Sequence, residues 1–249
     1  MPSGTVEGAC VSYSEDMTRR PLTAEFLLLA LGDEDGRPRI DSTKLKAAVA
    51  GAAIVDLALD GALRLSEPGD PEHKPGRLVR TTRHVADPLL AEVARLSHDR
   101  KPKDAVGRIG GVSAWKDRAG SLKDAVLSDL AAQGVLSREQ GKVLGLFPRT
   151  SWPLADPAVE REVLGRVRAT VVGGVEPDER TGALVALLHS VDLLPKLFPD
   201  EPKREVRARG KAVADGDWGA EAVRKAVQDV QTAITASIVA STVVASGGS

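Results

Sequence analysis

Cysteine and aromatic residues are scarce in this sequence, and both shortages limit what the chain can be. Cys10 is the one cysteine among 249 residues, so no disulfide can form within the chain. The sequence also lacks the charged and then apolar opening of a secretion signal, so we expect a reducing, cytoplasmic location. Aromatic residues make up 3% of the sequence. A core must therefore be filled by alanine, leucine and valine, which favours close-packed helices over broad sheets.

Long hydrophobic runs are missing as well. The longest weakly polar run, Ala233 to Ala245, has 13 residues, whereas a helix needs roughly 20 apolar residues to cross a bilayer. We therefore expect no transmembrane helix, and any association with a membrane should be peripheral.

Sequence motifs for catalysis, nucleotide binding and metal binding are also lacking. The sequence contains no GxxxxGKS/T, CxxC, HExxH, GxSxG or strand-linked GxGxxG pattern, and its four histidines lie far apart. His189 stands three residues before Asp192 in an apolar helical pattern, which predicts a buried structural pair rather than a catalytic base. We expect no enzymatic activity, no cofactor and no bound metal.

Charge is distributed unevenly along the chain, although the net charge is only −1. Residues 1–72 hold 13 acidic and 7 basic residues, whereas residues 73–123 hold 5 acidic and 12 basic residues. A basic block of this kind attracts anionic partners, either lipid headgroups or nucleic-acid phosphates. The alternative is a solvated surface that acidic neighbours balance in the fold.

A pattern of helix, glycine and short strand occurs twice, over Ser42–Leu65 and Ser121–Phe147. In each stretch apolar residues recur at helical spacing and end at an Asp-Gly or Gln-Gly pair, which is typical of a helix C-terminus. The apolar runs that follow, Ala62–Leu65 and Val135–Leu146, predict strands. The fold class expected is mostly α, a single helical domain with short β-hairpins.

The remaining sequence predicts further helices and two flexible ends. Residues 1–20 and 246–249 are polar or glycine-rich and are expected to be flexible, which leaves residues 21–245 as one domain. Helix starts are predicted at Thr23, at the Asp-Pro pairs 87–88 and 156–157, and at a capping box over Ser121–Asp124. Apolar periodicity predicts helices over 181–194, 203–213 and 220–244.

Three tryptophans divide into two groups. Trp115 has Lys116 and Arg118 as neighbours, so it fits a membrane interface and a core position about equally well. Trp152 and Trp218 follow turn segments and are expected to pack in the core.

Three blocks of the sequence resemble the Golgi phosphoprotein 3 family. They are DLALDGAL at 56–63 within the run 23–65, QGVLSREQGKVLGLFPRTSWPL at 133–154, and ALVALLHSVDLL at 183–194. The blocks follow one another in family order over roughly 200 residues. Abundant alanine, and more arginine than lysine, indicate a bacterial branch of that family from a GC-rich genome.

The resemblance implies a mostly helical, non-enzymatic protein that binds phosphatidylinositol 4-phosphate. Such a protein is peripheral to membranes and has protein partners as well. On an ungapped alignment the four headgroup-binding positions of the family, one tryptophan and three arginines, fall on Asp41, Ala50, Gly120 and Lys123. Because one position of the four keeps a cation, we expect relaxed specificity, extending to bacterial anionic lipids.

Nearby cations could rebuild an anion site around Lys123. Arg39, Lys44 and Arg118 lie within a few residues of the vacated positions, so the lipid headgroup site is predicted to comprise Lys123, Arg118, Lys44 and Arg39. Lys123 is expected in the first turn of a capped helix, where free amides favour an anion. The membrane-contacting hairpin of the family is matched to Val79–Leu90, whose basic tip favours electrostatic contact over insertion.

Two other functions fit the same features. Helices followed by strand pairs also occur in winged-helix nucleic-acid binders, and the basic block could follow phosphates. The helices over 44–59 and 122–132, however, lack the Arg/Asn/Gln face that reads base edges, so nucleic acid is not the expected partner. A protein scaffold without an anionic ligand is consistent with the near-zero net charge.

Overall fold

The computed structural model describes residues 20–110, 117–143 and 147–246. Within these residues ten helices and two small antiparallel sheets are present, which confirms the mostly α fold with short hairpins. The helices are α1 Leu22–Ala30, α2 Ser42–Leu59, α3 Pro88–Ser97, α4 Pro102–Gly110, α5 Arg118–Ala132, α6 Pro157–Val171, α7 Glu179–Ser190, α8 Leu194–Leu197, α9 Lys203–Ala214 and α10 Glu221–Ser246. Of the segments predicted to be flexible, 1–20 and 246–249, residues 1–19 and 247–249 lie outside the described residues, as does Trp115.

The two predicted helix, glycine and strand units are present. Gly61 and Gly134 end α2 and α5 with φ of 68° and 76°, the left-handed conformation that glycine adopts without steric cost. After Gly61, strand β1 (Leu63–Leu65) pairs antiparallel with β2 (Leu78–Arg80). After Gly134, β3 (Glu139–Val143) pairs antiparallel with β4 (Phe147–Ser151). The strand predicted over 135–146 is thus present in part: β3 occupies residues 139–143, Leu136 forms a separate bridge to Leu154, and residues 144–146 lie outside the described residues.

Helix α2 lies at the centre of the molecule. It packs against α1, α3, α4, α5, α7 and α10, and every residue from 47 to 58 is buried. Its small side chains allow this crowding: at Gly51, an added Cβ would lie 2.6 Å from Cδ1 of Ile234 in α10. This is the close helix packing that the composition predicted, because alanine and glycine let neighbouring helices approach closely.

The start of α1 is held by a residue far away in the sequence. The buried carboxylate of Asp56 in α2 accepts hydrogen bonds from the backbone amides of Leu22 (2.5 Å) and Thr23 (2.9 Å) and from the Thr23 hydroxyl (2.6 Å). Thr23 is therefore not the N-cap that the sequence predicted. A remote carboxylate satisfies the free amides of the first turn instead.

One local prediction in the basic block is wrong. Val79–Leu90 is not a hairpin: β2 ends at Arg80, its partner is β1, and α3 begins at Pro88 behind the N-cap Asp87. The longer hairpin is β3–β4, so the argument from a basic hairpin tip fails.

The described part of the chain contains no helix with both the length and the apolar character needed to cross a membrane. Buried apolar side chains from nearly all the helices form one core cluster, which includes Trp152 and Trp218 as predicted. The Asp-Pro pairs cap α3 and α6, again as predicted. The limits of the domain at 21–245 stay a prediction.

Candidate functional site

The four positions that the resemblance assigned to a headgroup lie on the starts of α2 and α5 and on the next turns of these helices. Asp41 caps α2 by accepting the amide of Lys44 at 2.9 Å. Ala50 lies in the third turn of α2, has no exposed surface, and faces Gly110 of α4. Gly120 lies in the first turn of α5. Lys123 is about one turn further along α5.

A lysine that the sequence interpretation missed occupies the face of α2 on which the family has an arginine. Lys46 lies four residues before Ala50, and residues at this spacing share one face of a helix. Its Nζ donates to Oδ2 of Asp117 at 2.6 Å, across the contact between α2 and α5. The signal that could have found it is this spacing, because Lys46 lies one helical turn before the position that the resemblance assigned to an arginine.

The carboxylate of Asp117 lies close to both Lys46 and Lys123. It is the N-cap of α5 and accepts the amide of Gly120 at 2.9 Å, so the predicted capping box over Ser121–Asp124 is wrong and the helix begins one turn earlier. The hydrogen bond from Lys46 holds the pKa of Asp117 below its usual range, and the amide of Gly120 and the charge of Lys123 act in the same direction. The carboxylate therefore remains charged.

Lys123 consequently does not lie in the first turn of its helix, and of the amides at the start of α5 that of Gly120 already donates to the carboxylate of Asp117. Its Nζ lies 3.1 Å from the carboxylate of Asp124, and its side chain is 31% exposed. Lys46, Asp117, Gly120 and Lys123 together form the cluster that we call the α2–α5 site. It contains two cations, one capping carboxylate and a glycine that leaves room for it.

Arg118 is next to this site but points to α3. Its Nε lies 3.8 Å from the carboxylate of Glu92, and both residues line a cleft of about 500 Å³ between α3 and α5. The floor of the cleft is apolar and includes Leu89, Val93 and Leu122. Asp117 also lines it, so the cleft opens beside the α2–α5 site.

Arg39 and Lys44 lie elsewhere. Arg39 donates through Nε to the carbonyl of Leu31 at 2.7 Å and pairs with Asp33, which fixes it to the turn between α1 and α2. Lys44 is close enough to Asp192 that its charge helps to lower the pKa of that carboxyl. The structure therefore does not gather the four predicted cations into one pocket.

His189 and Asp192 do not form the predicted pair. Helix α7 ends at Ser190, and Asp192 has a φ of 58°, so the helical spacing is lost. The carboxylate of Asp192 accepts two hydrogen bonds of 2.8 Å from Arg207 in α9. His189 is half-buried against α9, and burial, aided by the charge of Lys211, lowers its pKa.

A buried carboxyl contacts the turn that carries Arg39. Glu160 in α6 is 7% exposed and forms a side-chain hydrogen bond with Asp33. Burial raises the pKa of Glu160 to about 7, and the neighbouring charge of Asp33 adds to the shift, while Arg39 opposes it. Glu160 therefore takes up a proton beside the α1–α2 turn as pH falls through about 7.

A second charged cluster joins α1, α6 and α7. Glu25 is buried and accepts hydrogen bonds from Arg166 at 2.9 Å and Arg180 at 3.2 Å. The adjoining cleft, of about 490 Å³, has four acidic and three arginine side chains in its lining. An acidic excess does not attract anions, so this cluster fits a structural role.

Within the described residues, no three His, Cys, Asp or Glu side chains form a group that could hold a metal ion.

Comparison with known protein families gives one finding for most of this chain. The model of the Golgi phosphoprotein 3 (GPP34) family matches residues 22–230, which are 209 of the 249 residues. The matched range begins at the first residue of α1, contains α2 and α5 in full, and ends within α10.

Proposed function

This chain belongs to the Golgi phosphoprotein 3 family, and from that premise we propose that it docks reversibly on membranes by binding anionic lipid headgroups. The α2–α5 site is the place of contact, and Lys46 and Lys123 are the headgroup ligands. The protein acts as a non-enzymatic, cytoplasmic, peripheral membrane protein that can bring protein partners to the surface on which it docks.

The observation that carries this proposal is the position of Lys46. It restores a cation to the α2 face from which the family arginine is missing, opposite the segment of α5 that holds Gly120 and Lys123. Both lysines belong to helices that pack against one another, so their spacing is set by the core and not by a loop. A cation near an anionic membrane surface contributes about 1 kcal/mol, so two give weak, salt-sensitive docking that neighbouring cations strengthen.

The other predicted cations have a smaller role in this proposal. Arg118, Lys44 and Arg39 each lie beside an acidic group, Glu92, Asp192 and Asp33 respectively. Lys46 and Lys123 also have acidic neighbours, Asp117 and Asp124, but these lie on α5, whereas the acidic neighbours of the other three cations lie on other elements and hold them away from the α2–α5 site. We assign them to the positive surroundings of the site and not to direct headgroup contact.

The lipid implied by the family is phosphatidylinositol 4-phosphate. Lysine is a point charge, whereas arginine offers a rigid fork of donors that matches phosphate oxygens in pairs. A site with two lysines in place of three arginines should therefore be less selective, and bacterial anionic lipids are included in the proposal.

Vesicle flotation tests the proposal directly. Vesicles of phosphatidylcholine with phosphatidylinositol 4-phosphate, phosphatidylglycerol or cardiolipin are mixed with wild type, Lys46→Gln or Lys123→Gln. Each variant should bind anionic vesicles several-fold more weakly than wild type. Binding should fall further as salt approaches about 0.5 M, where the Debye length is roughly 4 Å.

Lys74→Gln is the matched control, since it removes the same charge from an exposed loop beyond the other end of α2. Its binding should equal that of wild type. An equal loss of vesicle binding in all three variants would mean that binding depends on net charge alone and not on the α2–α5 site. Binding that salt does not weaken would contradict the electrostatic contact, and duplex DNA that displaces the protein from vesicles would favour the nucleic-acid alternative.

A further inference from the structure

The α2–α5 site already contains an anion of its own. The carboxylate of Asp117 lies 2.6 Å from Nζ of Lys46, and Lys123 is near enough to lower its pKa. Gly120 makes room for it, because a Cβ at that position would lie 2.6 Å from Oδ2. Any phosphate that reaches these lysines must compete with this carboxylate.

We propose that Asp117 determines which headgroups the α2–α5 site prefers, by favouring terminal phosphomonoesters over phosphodiesters. This inference rests on the proposed function, since it concerns the same two lysines. It assigns to Asp117 the part of a selectivity residue, in addition to its part as the cap of α5.

The charges of the competitors give the reason. A phosphodiester carries one negative charge, the same as Asp117, so it gains less than a phosphomonoester does by taking the place of Asp117 beside Lys46. A phosphomonoester carries about 1.5 to 2 negative charges near neutral pH and has three strong acceptor oxygens. It can contact Lys46 and Lys123 together, so it offsets the loss of the internal ion pair.

The geometry makes such an exchange feasible. The side chains of Lys46 and Asp117 are 41% and 54% exposed, so their ion pair opens to solvent and is not locked in the core. Asp117 keeps a second partner, the amide of Gly120, when Lys46 turns to a ligand. The helix cap therefore survives while the lysine changes partner.

Asp117→Asn separates charge from capping, because asparagine caps helices about as well as aspartate. Binding of wild type and variant is measured on vesicles with phosphatidylinositol 4-phosphate and on vesicles with about threefold more phosphatidylinositol, which matches the surface charge. Wild type should prefer the monoester lipid several-fold. The variant should gain at least threefold in binding to phosphatidylinositol and so lose most of that preference.

Asp129→Asn is the control, since it removes one charge from an exposed position on the same helix, 12 residues or about 18 Å further along. It should leave the preference unchanged. A preference in Asp117→Asn equal to that of wild type would overturn the role of Asp117 while leaving the two lysines in place. Failure of wild type to bind either vesicle would instead overturn the proposed function itself. Thermal unfolding of each variant confirms that the fold is retained.

Discussion

Buried carboxyls show at the scale of single residues how this fold uses charge. Asp56 is 4% exposed, and burial raises its pKa to about 6 although three hydrogen bonds from the start of α1 oppose the shift. Glu160 is 7% exposed and has a pKa of about 7. In both, loss of hydration is the largest cause of the shift, and it outweighs the hydrogen bonds at Asp56 and the charge of Arg39 at Glu160. Each carboxyl therefore makes the folded state more stable at lower pH.

Glu160 gives a prediction about pH. Its folded pKa, about 7, lies above the ordinary value of 4.5, so the folded state keeps a proton that the unfolded chain releases. Its contribution to stability is complete below pH 4.5 and is lost as pH rises through 7, at a cost of no more than about 3 kcal/mol. Glu160→Gln keeps a donor for Asp33 without the charge, so it should remove this loss.

Urea unfolding of wild type and Glu160→Gln at pH 5 and pH 8 measures the effect. The variant should gain stability relative to wild type by about 2 kcal/mol between the two pH values. Asp56 and His189 titrate alike in both proteins, so they cancel in the comparison. Parallel pH profiles for the two proteins would show that Glu160 is already ionised at pH 5.

At the scale of elements, the close approach of α4 to α2 places Lys46. Gly110 ends α4 directly against the backbone of α2, where an added Cβ would lie 2.4 Å from the carbonyl oxygen of Lys46. Gly107, one turn earlier in α4, would meet nothing within 4 Å. The contact with α2 therefore requires a glycine at 110 but not at 107, although both belong to one helix.

Alanine substitution should separate the two glycines. Gly107→Ala should raise the free energy of unfolding by about 0.5–1 kcal/mol, because alanine restricts the unfolded chain and favours helix. Gly110→Ala should lower it by about 1–3 kcal/mol, because a backbone carbonyl cannot move aside as a side chain can. Denaturant titration of both variants checks this, and a stabilised Gly110→Ala would show that α4 is not held against α2 as described.

Elements with local signals were predictable, whereas those that depend on distant partners were not. Asp87 and Asp156 precede prolines and cap α3 and α6 as the sequence indicated, and Gly61 ends α2 as expected. Thr23 was assigned the cap that Asp56 supplies from 33 residues away. The hairpin matched to Val79–Leu90 was wrong for a similar reason, because β2 pairs with β1, which lies more than ten residues earlier in the sequence.

At the scale of the whole molecule, the family and the fold class were predictable, but the site was only partly so. Alignment gave Lys123 and the starts of α2 and α5. It could not give Lys46, because a cation displaced by one turn is visible only when the helix face is considered. Arg39 and Lys44 were selected for closeness in sequence, yet their side chains lie with acidic partners away from Lys123.

Docking through the α2–α5 site would bring the membrane to the end of the molecule where α2 and α5 begin. Helix α2 has 18 residues and is about 27 Å long, so the β1–β2 sheet beyond its C-terminus is distant from that surface. Much of the basic block lies around this distant sheet and in the turn before α4. Electrostatic docking by the block as a whole and docking through the α2–α5 site therefore predict different contact surfaces.

Lysine footprinting on the membrane distinguishes these surfaces most directly. Wild-type protein is acetylated with and without phosphatidylinositol 4-phosphate vesicles, and the rate at each lysine is read by mass spectrometry. We predict that vesicles slow modification of Lys46 and Lys123 at least twofold and leave Lys74 and Lys211 unchanged. Protection of Lys74, with Lys46 and Lys123 as reactive as in the free protein, would contradict the account.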